Sequence, residues 1–259
     1  MTAAPTPHRP RWRSLALLAL LLAPLLSQAA TLSVCTEASP EGFDVVQYNS
    51  LTTTNAAADM LMNRLVDYDA TAGQLVPSLA ERWEVSADGL SWTFQLRPGV
   101  KFQRAEWFTP SRELNADDVL WSFQRQRDKE HDWHERAPRG FPYFEAMGFA
   151  ELIAEIEALD EHRVRFTLKH SEAPFLADLA MGFTSIYSAE YAEQLLDAET
   201  PEKLNSQPIG TGPFVFERYA KDAQVRFAGN PHYWGGKPAL DRLLLAITPD
   251  PNTRIQQLK

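Results

Sequence analysis

Apolar and polar positions along the chain change period from block to block, between two residues and about 3.6. Residues 31–36 alternate as a short strand, and residues 55–66 carry Ala57, Met60, Leu61 and Leu65 at helical spacing. Residues 83–85 and 91–96 flank the turn Ser86-Ala87-Asp88-Gly89 and predict a hairpin with Trp92, Phe94 and Leu96 on one face. Asn115 stands as the cap of a helix whose first turn holds Asp117 and Asp118 and whose buried stripe is Val119, Leu120 and Phe123. Residues 164–168 alternate again, and residues 173–183 read as a helix. Thr200-Pro201 starts a further helix with proline at its first position. Residues 215–219 and 224–227 predict paired strands, and 243–248 an apolar strand. The interleaving of strands with helices makes the class mixed α/β.

The N-terminus changes the accounting. Arg9, Arg11 and Arg13 precede an apolar run over 15–26, and Ser27-Gln28-Ala29 supplies the small residues of a cleavage site, so residues 1–29 read as an export signal. As a helix that run spans about 18 Å, short of a hydrocarbon core of ~30 Å. Removing it takes the formal charge from −9 to about −12, an acidity opposed to nucleic-acid binding. Cys35 is the sole cysteine, which excludes a disulfide-rich scaffold and a thiolate zinc cluster. In an exported chain an unpaired thiol is anomalous: it is buried and free, or paired to another chain, or paired to sequence beyond this one. Residues 252–259 begin like a helix without C-terminal punctuation, so the expectation is the N-terminal piece of a longer protein.

No catalytic constellation is present. Gly210-Thr211-Gly212-Pro213 lacks the third glycine of a dinucleotide loop, and in Gly235-Gly236-Lys237-Pro238 proline replaces the hydroxyl residue of a phosphate loop. Both read as turns. His131 and His134 lie in a charged stretch that reads as a solvated loop rather than a metal site. No serine sits in a nucleophile elbow. No cofactor and no metal site is read from these residues. Aromatic residues on irregular segments (Trp107-Phe108, Phe141-Pro142-Tyr143-Phe144, Tyr233-Trp234) and the polar run Asn49-Ser50-Leu51-Thr52-Thr53-Thr54-Asn55 are the candidate ligand surfaces. Each has a structural alternative, loop anchoring for the aromatics and helix capping for the polar run.

Longer motifs go further. Trp83-Glu84-Val85-Ser86-Ala87-Asp88-Gly89, Leu96-Arg97-Pro98-Gly99-Val100-Lys101-Phe102, Leu114-Asn115-Ala116-Asp117-Asp118-Val119 and Pro208-Ile209-Gly210-Thr211-Gly212-Pro213-Phe214 together resemble the extracellular solute-binding proteins of family 5, which serve peptide, nickel and opine importers. Cys35-Thr36-Glu37-Ala38-Ser39-Pro40-Glu41-Gly42-Phe43 and residues 172–181 are similar to the dipeptide binders within it. The resemblance implies a two-lobed periplasmic-binding-protein-like fold of type II, here the first lobe with an inserted subdomain and without the second lobe. The segments would be 30–75 (first lobe), 76–195 (inserted α/β subdomain) and 196–259 (return to the first lobe). It implies a monomeric, periplasmic, non-enzymatic receptor that passes dipeptides or short peptides to an inner-membrane ABC permease. Alternatives are a binder of haem, a nickel chelate or an antimicrobial peptide in the same family and, in another class, a secreted hydrolase. By the same resemblance Asn49, Ser50 and Thr52 approach the peptide backbone and Tyr143 approaches the ligand from the inserted subdomain. Cys35 would pair with a cysteine beyond Lys259. Asn49 and Leu51 stand where dipeptide binders carry a hydroxyl residue and a glycine.

Overall fold

The computed structural model describes Met1 and residues 30–257; the export signal expected over 1–29 lies otherwise outside the described residues. In chain order the first half forms β1 (Thr31–Thr36), α1 (Leu51–Thr53), β2 (Val66–Asp69), β3 (Gln74–Pro77), β4 (Ala80–Val85), β5 (Ser91–Leu96) and α2 (Ala116–Arg127). Then follow α3 (Pro142–Ala146), α4 (Phe149–Leu152), β6 (Ile153–Asp160), β7 (Arg163–Leu168), α5 (Phe175–Asp178), α6 (Ala189–Asp197), β8 (Phe214–Ala220), β9 (Gln224–Gly229), β10 (Arg242–Ile247) and α7 (Pro251–Gln257). The mixed α/β class is as expected.

Two four-stranded sheets organise these elements. One has the order β1-β10-β9-β8, with β1 parallel to β10 and the other pairs antiparallel, so residues from both ends of the described chain share it. The other, β4-β5-β7-β6, is antiparallel throughout and drawn from the middle of the chain. β2 and β3 form a separate hairpin. A string of aromatic contacts fills the space behind the second sheet: Phe94 against Phe166, Phe166 against Phe123 and Phe175, Phe175 against Phe149, and Phe149 against Phe183. Behind the first sheet Phe43 packs edge-on to Phe216 and Tyr219.

The predicted strands are realised in β1, β4, β5, β7, β8, β9 and β10, and Asn115 caps α2 as predicted. The Asn115 side chain accepts from Asp117 N, and Asp118 Oδ2 accepts in return from Asn115 N. Asp118 does more than complement the helix start. It is fully buried, takes both arms of Arg112 at 2.7 and 2.8 Å, and accepts from Ala189 N at the start of α6.

Three predicted helices differ. The helix expected over 55–66 instead begins at Leu51, widens into a π-helical turn (Thr54–Ala58) and stops. Its next carbonyls are claimed from elsewhere: Met60 O by Phe214 N, Leu61 O by Gly212 N, and Leu65 O by Ser78 N and Ala80 N. Of the helix over 173–183 only α5 and a 3₁₀ turn (Gly182–Thr184) form. There the Thr184 hydroxyl donates to the carbonyls of Leu179 and Met181, and the Gln126 amide to that of Phe183. After Thr200 the chain makes only a 3₁₀ turn (Pro201–Asn205), and the Thr200 side chain does not cap it. The 131–136 stretch is not simply solvated, since Trp133 is buried against Trp121.

Candidate ligand-binding site

The segment from Tyr48 to Asn55 lies between β1 and β2 and contains α1, and local chemistry fixes its shape. Ser50 is the N-cap of α1: its Oγ accepts from Thr53 N at 3.4 Å and donates to Thr53 Oγ1 at 3.0 Å. Thr52 Oγ1 donates to Ser50 Oγ, Thr54 Oγ1 donates to Ser50 O, and Thr53 Oγ1 accepts from Glu41 N. The hydroxyls that made this run a candidate polar site are therefore largely spent on holding the turn. Asn49 is exposed, with no side-chain hydrogen bond among the described residues, and Leu51, 69% exposed, projects outward at the first helical position.

Two depressions flank the segment. The larger, about 630 Å³, is lined by Thr52, Leu51 and Asn55, by Leu32, Val34 and Cys35 of β1, and by Leu243 and Leu245 of β10. The smaller, about 200 Å³, is lined by Tyr48 and Thr54 of the segment together with Val45, Tyr143, Met181, Gly182 and Phe183. The expected site residues thus divide: Thr52 faces the first depression, Tyr143 the second, and Asn49 and Ser50 line neither. Tyr143 is carried on α3, with its ring stacked on Phe183 at 6.1 Å. Tyr48 is anchored by Asn205, whose amide donates to its hydroxyl at 2.7 Å, and by Arg139 over its ring at 4.9 Å. Burial raises the Tyr48 phenol above its ordinary value, while the Asn205 bond and Arg139 pull the other way. The phenol therefore stays neutral.

Cys35 lies in β1 opposite Ala246, and its thiol donates to Gln257 Oε1 of α7 at 2.9 Å. The other aromatic candidates serve as anchors. Phe108, Phe141 and Phe144 are buried, and Trp234 donates to Asn63 Oδ1 while Arg97 covers its ring. Gly210 and Gly212 are not a simple turn. A Cβ on either would meet the Leu61 backbone at 2.0 and 2.6 Å respectively, so glycine is needed to let two backbones touch. Among the described residues no group of three metal-ligating side chains forms, and no helix is long and apolar enough to cross a membrane.

Sequence reasoning passed over Val45, Thr54, Met181 and Phe183, and it passed over Asp44 and Arg125, which form an ion pair in the interior beneath the segment. The available signal was Asp44 itself, a charge inside the apolar run 43–46.

Comparison with known proteins is consistent across sequence and structure. The model of the bacterial extracellular solute-binding proteins, family 5 Middle, matches residues 74–259. A probable di/tripeptide-binding protein 5 of Pseudomonas aeruginosa (strain UCBPP-PA14) is 61% identical over 249 residues, covering 95% of this chain and 47% of the relative. Heme-binding protein A of Haemophilus influenzae (strain ATCC 51907 / DSM 11121 / KW20 / Rd) is 46% identical, over 88% of this chain and 42% of the relative. The crystal structure of a dipeptide binding protein from Pseudoalteromonas sp. SM9913 in complex with Met-Leu superposes with a TM-score of 0.85 at 38% identity, covering 88% of this chain and 45% of that one. The chain spans about half the length of the curated relatives it matches. Its fold is that of periplasmic binding proteins, over one part of their length. The chain belongs to the bacterial extracellular solute-binding proteins of family 5.

Proposed function

We propose that this chain is the first part of a periplasmic substrate-binding component of an ABC importer, capturing dipeptides or short peptides and delivering them to an inner-membrane permease. The observation that carries the reading is the 61% identity to a di/tripeptide-binding protein across nearly the whole chain. The geometry of the 48–55 segment supports it. Asn49, with a free amide, and Leu51 stand outward on a scaffold that Ser50, Thr53 and Thr54 hold rigid, as a preorganised binding edge requires. Closure of two lobes over the ligand would then shift an open population to a closed one.

The segments 30–75, 76–195 and 196–259 are proposed as first lobe, inserted subdomain and return. Support comes from the sheets, since β4 to β7 fall within 76–195 while β1 joins β8 to β10 from either side of it. Export through the leader at 1–29, a monomeric state, and a disulfide from Cys35 to a cysteine beyond Lys259 belong to the same proposal. The test is calorimetric titration of the protein purified at its native length from its host, with alanyl-alanine, longer alanine peptides and haem. Micromolar or tighter binding of a dipeptide, together with loss of dipeptide uptake on deletion, is the expected result. Binding of haem with no peptide bound would replace the peptide reading.

A further inference from the structure

Arg139 is an exposed cation whose contacts converge on one short stretch of distant sequence. Its Nη1 donates to Glu41 Oε2 at 2.7 Å, its guanidinium lies 4.9 Å over the Tyr48 ring, and its backbone N donates to Gln47 Oε1 at 3.5 Å. Two of these partners are themselves fastened to the 48–55 segment. Glu41 N donates to Thr53 Oγ1, and Tyr48 opens the segment with its hydroxyl held by Asn205. On its other side Arg139 stands just before Phe141, which is buried, and Pro142, the first residue of α3. Tyr48 and Thr54 of the segment and Tyr143 of α3 line the same depression. Phe141 and Phe144 root α3 in the interior, whereas the Arg139 contact to Glu41 lies at the surface, with the two side chains 55% and 36% exposed.

We propose that Arg139 is a positioning residue for ligand binding: without touching the ligand, it latches the loop before α3 to Glu41 and Tyr48 and so fixes how far α3 stands from the 48–55 segment. The inference rests on the peptide-binding reading above and adds to it a contact that preorganises the site. An exposed ion pair adds little to folding, since solvent screens it and two long side chains must be ordered to make it. Its effect on a ligand is different. A wall that is not held beforehand must be ordered as the ligand arrives, and that cost is subtracted from the affinity. The latch can therefore contribute to affinity no more than its own strength, that of an exposed ion pair joined to a cation over an aromatic face.

The test is calorimetric titration of alanyl-alanine into the native-length protein and its variants, with urea unfolding alongside. Arg139→Ala is expected to weaken binding about three- to tenfold while the urea midpoint stays close to wild type. Glu41→Gln is expected to weaken binding by a smaller factor, since the contact of Arg139 with the Tyr48 ring persists. Both replacements together are expected to weaken it no more than Arg139→Ala alone, because they break one latch. Arg139→Lys keeps the charge and is expected to recover most of the loss. Because the ion pair is exposed, the gap between wild type and Arg139→Ala is expected to narrow from low to high salt. Wild-type affinity in Arg139→Ala or in Glu41→Gln, or losses from the two that simply add, overturns the latch while leaving the peptide reading standing. Failure of the wild type to bind alanyl-alanine or any longer alanine peptide overturns both.

Discussion

Asp44 and Arg125 offer the sharpest energetic test of how the 48–55 segment is tied to α2. Asp44 lies just before the turn that leads into the segment, and Arg125 is in the last turn of α2. They are 2% and 1% exposed, and both guanidinium nitrogens Nη1 and Nη2 engage the carboxylate. Gln47 Nε2 adds a third donor at 2.7 Å, and Arg125 lies over the rings of Trp121 and Tyr187 at 4.8 and 4.5 Å. Both side chains are almost fully shielded from water, so removing either partner leaves the other charge buried and unpaired. Asp44→Leu or Arg125→Met alone should therefore each cost about 3–5 kcal/mol. The surface pair Arg163–Asp160, each side chain about half exposed, should by contrast give about 0–1 kcal/mol when broken. The double replacement Asp44→Leu with Arg125→Met removes both charges and keeps apolar volume, so it should restore most of the loss. The assay is urea unfolding of all four proteins at constant m-value, closed as a double-mutant cycle. Because the pair is shielded from solvent, the coupling should change little between low and high salt. Additive single losses, with the double variant as unstable as their sum, would refute the reasoning.

Two further outcomes follow from particular contacts. Gly212→Ala is expected to destabilise by about 2 kcal/mol or more, because its Cβ would stand 2.6 and 2.7 Å from the backbone of Leu61 and Met60; a melting temperature equal to wild type would contradict it. His131 is held below its ordinary value by burial first, then by Arg125 and His134, against the opposing Asp128 and Asp132, and its Nδ1 accepts from Trp133 N. As a base whose folded value is depressed, it contributes stability that is present above about pH 6.5 and lost as pH falls through the folded value. His131→Asn, which keeps an acceptor, should flatten part of the decline in unfolding free energy between pH 7.5 and 5.5, and an unchanged slope would count against the assignment.

What could be read from the sequence follows the range of the forces involved. β5, β7 and β9 were legible because their alternation matches the pleat, and α2 because Asn115 and Asp118 cap it within four residues. β6 was not legible, because irregularities between Ile153 and Glu155 and between Ala158 and Asp160 break its alternation. The helix over 55–66 was misread for a different reason. Ala57, Leu61 and Leu65 keep a helical period and are all buried, yet the carbonyls of Met60 and Leu61 bond to residues 212–214, about 150 residues away in sequence. Apolar periodicity reports which side chains are inside, and a backbone captured by a distant strand can bury the same residues without a helix.

The candidate site shows the same limit at the level of function. A run of hydroxyl residues next to a helix start supports both a ligand surface and a cap, and composition cannot separate the two. The geometry does: Ser50, Thr53 and Thr54 bond to one another and to backbone, which leaves Asn49, Leu51 and Asn55 as the exposed groups. At Asn49 and Leu51 the resemblance to dipeptide binders leads one to expect a hydroxyl residue and a glycine. Their neighbours maintain the shape, so a substitution at either position should cost the fold little. Leu51→Gly tests this directly: an exposed side chain buries little, so stability should move by no more than about 1 kcal/mol, the cost of glycine in a helix. Ligand preference should change, and a variant that loses several times that stability while keeping its ligand profile would reverse the assignment of roles.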